Sequence, residues 1–281
     1  MRPLPRQRGL ALVLVLWTMT LLAVIAGSFA YSMWTGTFVT RNAVDIAQAR
    51  SLAEAGVQRA ILALLDPDPA RRWAGNGSVR AWSFGGGVLA ISVRDEAGLI
   101  DLNGAPATLL DGILRVGGIP QAARPRLVDA ILDWRDADHL NHPHGAEDKA
   151  YRVAGRPYAA KDAPFEAVEE LQLVLGMPAA VFEKLEPFLT VYSGQGGVNQ
   201  SAAPREVLLA LPNADPDAVD VLLAERTSAG GNSAQASAAS VYRIIAHAQM
   251  PSGTTYGVRA VVQLSPARTA GFSVREWKEG V

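Results

Sequence analysis

The sequence predicts an α+β protein in which a long N-terminal helix packs on an antiparallel sheet and a large helical insertion interrupts that sheet. Two observations carry this prediction. One helical pattern of apolar residues runs without a break through residues 10–65, and alternating segments near the C-terminus predict strands. A chain of 281 residues is long enough for such a helix and one or two globular units.

Composition excludes several functional classes. The 26 basic and 27 acidic residues give a net charge of −1, so no overall field attracts nucleic acid or anionic lipid. The chain has no cysteine, which excludes disulfides, thiolate catalysis and sulfur-ligated metals. It also lacks a nucleophile elbow, a phosphate loop, a dinucleotide fingerprint and an H-E-x-x-H zinc helix. The absence of these motifs does not by itself exclude catalysis, but it favours a role in assembly, and we expect no enzymatic activity.

The first segment predicts a membrane anchor. Residues 9–40 contain no charged residue, and Arg2, Arg6 and Arg8 stand immediately before them. About 20 apolar residues cross a bilayer core, so residues 10–34 are ample for one span. Because basic residues favour the cytoplasmic side, we expect a cytoplasmic N-terminus and export of the remaining chain.

The helical pattern continues past this span. Apolar residues recur at three- and four-residue spacing until Asp66-Pro67 ends the pattern. The sequence therefore predicts one helix over residues 10–65, about 84 Å long at ~1.5 Å per residue. The alternative is a secretory signal peptide cleaved near Ser28-Phe29-Ala30, which would leave a chain that starts near Tyr31.

The segment Arg6–Leu14 resembles the class III leader of type IV pilin-like proteins. This resemblance implies that residues 1–9 are a leader removed after Gly9, and that the retained helix starts at a methylated Leu10. Most pilin-like subunits carry glutamate at the fifth mature position, which here is Leu14. In the family that carboxylate is thought to pair with the N-terminal amine of the subunit above. An apolar residue there indicates a subunit at the tip of a filament.

Period-two alternation predicts the sheet. The expected strands are Val88–Val93, Val241–Gln249, Tyr256–Leu264 and Phe272–Trp277. The predicted organisation is a pilin-like sheet part over 66–100 and 241–281, a helical insertion over 101–227, and a flexible loop over 228–240. The loop prediction rests on its Gly, Ser and Ala content.

Two similar segments predict helical hairpins. One starts at Asn103 and reaches Pro106, the other starts at Ser201 and reaches Pro204, and each leads into two helices. Asn103 and Ser201 are the expected N-caps. The pattern resembles helix-hairpin-helix or SAM-like units, which also occur in DNA-binding proteins. Residues 101–135 carry four acidic and four basic residues, and residues 198–227 carry five acidic and two basic. Since DNA binding needs clustered basic residues, we expect a packing role.

The segment Asp133–Asp148 is the strongest candidate site. The segment contains five carboxylates and only one arginine, and the carboxylates would repel one another unless a cation neutralised them. Calcium takes six to eight oxygen ligands, which such a segment can supply. His139, His142 and His144 lie in the same segment and leave a transition metal open as an alternative. A solvated loop without any metal is the third interpretation.

Longer motifs add a second resemblance. The patterns D-W-x-D-x-D, G-A-E-D-x-Y and R-P-Y-x-x-x-x-x-P-F occur between Asp133 and Phe165, and the segment Asp95–Asn103 precedes them. Together they resemble the minor pseudopilin K family of type II secretion systems. The resemblance implies a calcium site. Its first-choice ligands are Asp136, Asp138, Glu147 and Asp148, with Asp133 as a further candidate. Ala150 stands where the family usually has an aromatic residue.

The resemblance also implies a function. It predicts a subunit at the tip of a periplasmic pseudopilus that helps start assembly and the export of folded proteins. The implied partners are minor pseudopilins I and J, the major subunit and the prepilin peptidase. The implied location is the bacterial inner membrane, crossed once, with most of the chain in the periplasm. Two other functions stay open: a membrane-anchored DNA receptor of a competence system, and a metal-dependent hydrolase built on the Asp and His segment.

Overall fold

The fold is described from a computed structural model over residues 10–228, 241–265 and 271–281. The predicted leader, which includes the cleavage residue Gly9, lies outside the described residues, and so do residues 229–240 of the predicted loop. The predicted α+β architecture is confirmed. A long apolar N-terminal helix, an antiparallel sheet and a set of further helices are present.

The first helix, α1, is unbroken over Leu10–Leu64. Its 55 residues span about 82 Å at ~1.5 Å per residue. All residues from 10 to 44 are exposed, and this half is long and apolar enough to cross a membrane. The helix ends one residue before the predicted end. The Asp66 carboxylate accepts the N–H of Asp68 there, and this local turn competes with a further helical turn.

Seven strands form two sheets. They are Asn76–Phe84 (β1), Gly87–Asp95 (β2), Ile100–Asp101 (β3), Leu189–Thr190 (β4), Val241–Gln249 (β5), Thr255–Leu264 (β6) and Phe272–Glu279 (β7). The main sheet is antiparallel in the order β1-β2-β5-β6-β7, and β3 pairs with β4 in parallel. The four predicted strands are present, whereas β1, β3 and β4 were not among them. The sequence of β1 mixes Asn, Gly and Ser with isolated apolar residues, and β3 and β4 are only two residues long, so none of them shows the pattern typical of a strand.

Helix α1 packs on the sheet through small residues. Ala49, Ala53 and Ala60 are fully buried. A Cβ on Gly56 would lie 2.9 Å from Leu89 Cδ2 and 3.0 Å from the Cβ of Ala246, so only glycine permits this approach of the helix to β2 and β5. The first core consists of this helix face and the inward side chains of β2, β5 and β6.

The helical part is inserted between neighbouring strands. Asp95 at the end of β2 faces Tyr242 near the start of β5, so the chain leaves the sheet and returns to it at one level. Between them lie the helices Ala107–Val116 (α2), Arg124–Arg135 (α3), Asp148–Val153 (α4), Ala179–Leu185 (α5), Arg205–Ala210 (α6) and Pro216–Ser228 (α7). They enclose a second core of their own around Leu110, Ile131 and Tyr151.

The two predicted hairpins are α2–α3 and α6–α7. The two hairpins pack so closely that a Cβ on Gly112 would lie 1.8 Å from the carbonyl oxygen of Ala210. The predicted N-caps are wrong, since the cap positions belong to Pro106 and Pro204. The Asn103 amide instead links two distant segments: its Oδ1 accepts the N–H of Phe165 and its Nδ2 donates to the Phe165 carbonyl.

Ion pairs join the insertion to the sheet. Arg243 on β5 donates to Glu96 at 2.8 Å and to the carbonyl oxygen of Leu189 at 2.7 Å. The Glu96 side chain is fully buried and that of Arg243 is 7% exposed. On the next strands, Arg259 pairs with Glu186 and Lys278 with Glu169. Since β5, β6 and β7 all take part, the insertion is held along the sheet and not only at its two chain connections.

We expect Arg243→Met to lower the free energy of unfolding by about 3–5 kcal/mol, because it leaves the buried Glu96 carboxylate without its counter-charge. Urea unfolding of the full chain in detergent measures this change. The double variant Glu96→Leu/Arg243→Met should recover most of the loss, since no buried charge then remains unpaired. Arg275→Met on the exposed face of β7 is the control, with an effect of about 0.5 kcal/mol or less. An equally small effect of Arg243→Met would contradict this account of the junction.

Candidate metal centre

The predicted carboxylates lie at two helix ends joined by a loop. Asp133 is in the last turn of α3, and Asp136 is its C-cap. Glu147 is the N-cap of α4, and Asp148 is its first residue. An acidic residue is favoured in the first turn of a helix, which explains Asp148, but it is unfavourable at a C-terminal end. Asp133 and Asp136 therefore need another source of positive charge.

A cluster of aromatic side chains packs beside these helix ends. Trp134, next to Asp133, has its ring centroid 5.8 Å from Tyr151 of α4 and 6.3 Å from Phe165. Tyr158 packs 5.8 Å from Tyr151. Tyr151 is fully buried, and its hydroxyl accepts the N–H of Leu175. Because these rings pack in the second core, the carboxylates on either side of them are held on a rigid base.

The loop folds back over the end of α3. Asp133 Oδ1 accepts the N–H of His142 at 3.0 Å and lies 2.5 Å from His142 Nδ1. Asp129 accepts the N–H of His144 at 3.0 Å. Gly145 passes directly over Asp133, where a Cβ would lie 1.9 Å from Asp133 Oδ2. Any larger residue at 145 would push the loop away from the carboxylates.

Two groups of potential ligand atoms result from this folding. Asp133, Asp136 and His142 form one group, and His139, Glu147 and Asp162 form the other. Within each group one ligand atom per residue lies within 4.8 Å of the others. His139 Nδ1 is 3.0 Å from Asp162 Oδ2. Each group combines two carboxylates with one imidazole.

Several carboxylate oxygens of this region are buried without a hydrogen-bond partner in the described part of the chain. They are Asp133 Oδ2, Asp136 Oδ1, both oxygens of Glu147, Asp148 Oδ1 and Asp162 Oδ1. Asp133 is fully buried and Glu147 is only 6% exposed. A buried carboxylate oxygen without a donor is costly, and a bound cation is the group that would satisfy several of them together.

The pKa values of several side chains at this site are raised, which reflects the same excess of negative charge. Burial raises the pKa of Glu147 to about 7, and the charges of Asp162 and Asp133 add to this rise. Burial also raises the pKa of Asp136, helped by Asp138 and Asp133. The hydrogen bond to Asp133 raises the pKa of His142. Without a metal, the site therefore binds protons more tightly than isolated side chains do.

The structure brings only part of the predicted ligand set together. Asp133 and Asp136 share one group, and Glu147 belongs to the other. Asp148 has a buried unpartnered oxygen but lies in neither group. Asp138 is also in neither group; it is exposed, and its Oδ1 accepts the N–H of Leu140 at 2.8 Å.

Sequence reasoning missed Asp162. It lies beyond α4, outside the acidic segment, inside the stretch that resembles R-P-Y-x-x-x-x-x-P-F. Its backbone has φ of +51°, a left-handed conformation that aspartate tolerates better than most residues. The available signal was a lone carboxylate within a family motif, and it gave no indication of spatial proximity to Glu147.

Comparisons with known proteins support the resemblance seen in these motifs. Residues 95–194 match the family model described as type II secretion system (T2SS), protein K. Type II secretion system protein K of Klebsiella pneumoniae is 28% identical over 230 residues, which cover 73% of this chain and 70% of that protein. The protein of the same name from Aeromonas hydrophila is 27% identical over 211 residues, which cover 66% of this chain and 63% of that protein.

A solved structure shares the fold. It is the crystal structure of the GspK-GspI-GspJ complex from the type 2 secretion system of enterotoxigenic Escherichia coli. The matched chain has a TM-score of 0.61 and 18% sequence identity, over 86% of this chain and 99% of that one. The predicted resemblance is thus confirmed: this chain is similar in sequence to type II secretion system protein K, and it shares the fold of the GspK structure.

Proposed function

We propose that this chain is a minor pseudopilin at the tip of the periplasmic pseudopilus of a type II secretion system, where it helps to start assembly and export. The match of residues 95–194 to the protein K family model is the observation that carries this proposal. The long apolar helix and the inserted helical part fit the role, since the first provides an anchor and the second adds bulk. We assign the chain no catalytic activity.

The tip position is supported by Leu14 and by the insertion. A subunit with no neighbour above it needs no carboxylate inside the membrane, and such a group would be costly there. Residues 96–228 add a large helical body to the sheet, which a closely packed helical fibre could not repeat along its length. The structural relative is a complex of GspK with GspI and GspJ, so we propose the minor pseudopilins I and J as partners.

The proposed pathway follows from the anchor. The prepilin peptidase would cut after Gly9, and the chain starting at Leu10 would stay in the inner membrane beside the major subunit. Its N-terminus would face the cytoplasm and its folded part the periplasm, because Arg2, Arg6 and Arg8 precede the apolar run.

The DNA-receptor alternative is not favoured. Basic side chains of the two hairpins are used inside the fold: Arg115 donates to the Leu209 carbonyl, and Arg226 donates to that of Ala203. Arg205 forms an ion pair with Asp220 at 2.7 Å. Phosphate binding needs several unpaired cations on one face, and these arginines are already engaged.

We further propose calcium as the ion of the candidate metal centre. The unpartnered carboxylate oxygens are hard donors of the type that calcium prefers. We propose Asp133 and Asp136 as calcium ligands in the first group and Glu147 and Asp162 as calcium ligands in the second. Asp138 and Asp148, which belong to neither group, are further candidates. The imidazoles of His139 and His142 suit zinc better than calcium, which makes zinc the competing ion.

The first prediction concerns assembly. Co-expressed with the I and J minor pseudopilins of its own bacterium, the full chain should co-purify with both from detergent-extracted membranes. Its intact mass should correspond to a chain that begins at Leu10. A chain that begins near Tyr31, or one that binds DNA in a salt-dependent manner and neither pseudopilin, would contradict the proposal.

The second prediction concerns the metal. Calcium at about 100 times its Kd should stabilise the full chain by about 2.7 kcal/mol, which corresponds to about 5–10 °C in Tm. Glu147→Gln and Asp162→Asn should each weaken calcium binding about tenfold or more, measured by calorimetric titration. Glu183→Gln, which removes an exposed carboxylate of α5, is the matched control and should leave it unchanged. A larger gain in Tm with zinc than with calcium would make the histidines ligands and overturn the calcium proposal.

The third prediction concerns pH. In the metal-free fold the pKa of Glu147 is about 7, above its ordinary value of 4.5, so the folded state binds the proton more tightly than the unfolded state. With a chelator present, the free energy of unfolding should therefore fall as the pH rises from about 4.5 to about 7. The raised pKa of His142 adds a fall in the same direction, but only above its ordinary value of 6.5. The gain in Tm from calcium should grow over this interval, because the ion competes with the proton.

Melting curves at several pH values, with and without calcium, measure both trends. Glu147→Gln should flatten the dependence in chelator, whereas Glu183→Gln should preserve it. A Tm in chelator that rises through this interval would show that burial and repulsion at Glu147 do not control stability.

A further inference from the structure

A cavity of about 660 Å³ lies between α1 and the turn that joins β5 to β6. We call it the juxtamembrane cavity. Residues that line it include Phe38, Val39, Arg41, Asp45, Ser252 and Thr254. The residues of α1 that line it stand at the end of the uncharged run, and they are far in the sequence from the carboxylates of the candidate metal centre.

The position of the cavity along α1 matches the surface of a bilayer. From Leu10 to Arg41 the helix rises about 46 Å at ~1.5 Å per residue. A bilayer with its headgroups measures about 40–45 Å. If the start of α1 lies at one surface, Arg41 therefore lies at the outer edge of the headgroups of the opposite surface, and Phe38, about 4.5 Å lower, lies among them. The turn that faces these residues must then rest on the membrane.

The turn is locally rigid. The N–H of Gly253 donates to the Met250 carbonyl at 2.9 Å, and the N–H of Met250 donates to the Thr254 carbonyl at 2.8 Å. Gly253 has φ of +88°, which favours glycine at this position. The Ser252 hydroxyl lies 3.2 Å from that of Thr254. Two hydroxyls are thus held on the side of the cavity opposite α1.

Besides these two hydroxyls, the lining contains apolar side chains, a guanidinium and a carboxylate. Phe38 and Val39 are 61% and 65% exposed and present apolar surface at the membrane interface. Arg41 supplies a guanidinium and Asp45 a carboxylate, four residues apart on one helix face. Over residues 10–228, 241–265 and 271–281, neither of these two side chains has an ion-pair partner within 4.0 Å. A cation and an anion are therefore both available to a ligand.

We propose that the juxtamembrane cavity binds the headgroup of one phospholipid of the phosphoethanolamine type. Arg41 and the two hydroxyls would hold the phosphate, and the Asp45 carboxylate would accept hydrogen bonds from the primary ammonium. A quaternary ammonium cannot donate such bonds, and an anionic headgroup would meet the Asp45 charge without compensation. This inference rests on the proposed membrane anchor and on no other part of the proposed function.

The test uses the full chain in lipid nanodiscs that contain phosphatidylethanolamine, phosphatidylcholine and phosphatidylglycerol in equal amounts. Native mass spectrometry of the released protein then identifies the lipids that stay bound. We expect one phosphatidylethanolamine per chain, retained about tenfold over either competitor. Arg41→Gln should reduce its retention about tenfold. Asp45→Asn should abolish the preference over phosphatidylglycerol while some lipid stays bound.

Arg126→Gln removes an equal charge from an exposed position on α3 and should change neither property. Preferential retention of phosphatidylglycerol, or equal retention by the unmodified chain and Arg41→Gln, would overturn the proposal. A chain that enters the discs but keeps no lipid would refute the headgroup site while the anchor stands. A chain that fails to enter the discs would refute both.

Discussion

The packing of small residues of α1 against the sheet is the constraint on which the structure depends. Ala49, Ala53, Gly56 and Ala60 let the helix axis approach β2 and β5 so closely that Gly56 has no room for a Cβ. The inward side chains of the sheet are buried against this face. The sheet in turn holds both chain connections of the insertion. A bulkier residue in this stripe would therefore move everything beyond the anchor, and not only the helix itself.

Much of this architecture could be predicted from periodicity. The long spacing pattern of α1 and the alternation in β2, β5 and β6 are strong because one face of each element is buried. Strand β1 was not predicted because its sequence mixes Asn, Gly and Ser with isolated apolar residues and so shows no clear period of two. Asn103 and Ser201 had the side chains of N-caps, but each is followed closely by a proline that takes the cap position. Local preference gave way there to tertiary contacts such as that between Asn103 and Phe165.

The candidate site, too, could be predicted from the sequence only in part. The density of carboxylates between Asp133 and Asp148 could be seen in the sequence, since repulsion between like charges needs only their proximity along the chain. Which oxygens converge could not be predicted, because that depends on how the loop folds back through Gly145 and His142. Asp162 comes from a different segment, and its proximity to Glu147 depends on the tertiary fold, in which Trp134 packs near Tyr151 and Phe165.

The pairing of Asp95 with Tyr242 has a consequence for modularity. Because these residues are neighbours on adjacent antiparallel strands, the whole of residues 96–240 is topologically an enlarged hairpin connection. A short turn could replace it without changing the strand order, which makes the insertion a separable cassette in an otherwise complete framework. The sheet, however, carries charged residues that are paired with the insertion. Arg243 would lose its partner Glu96 on excision, so a minimal version of this protein would need a neutral side chain at position 243, whereas Arg259 would keep Glu276 of β7 as a partner.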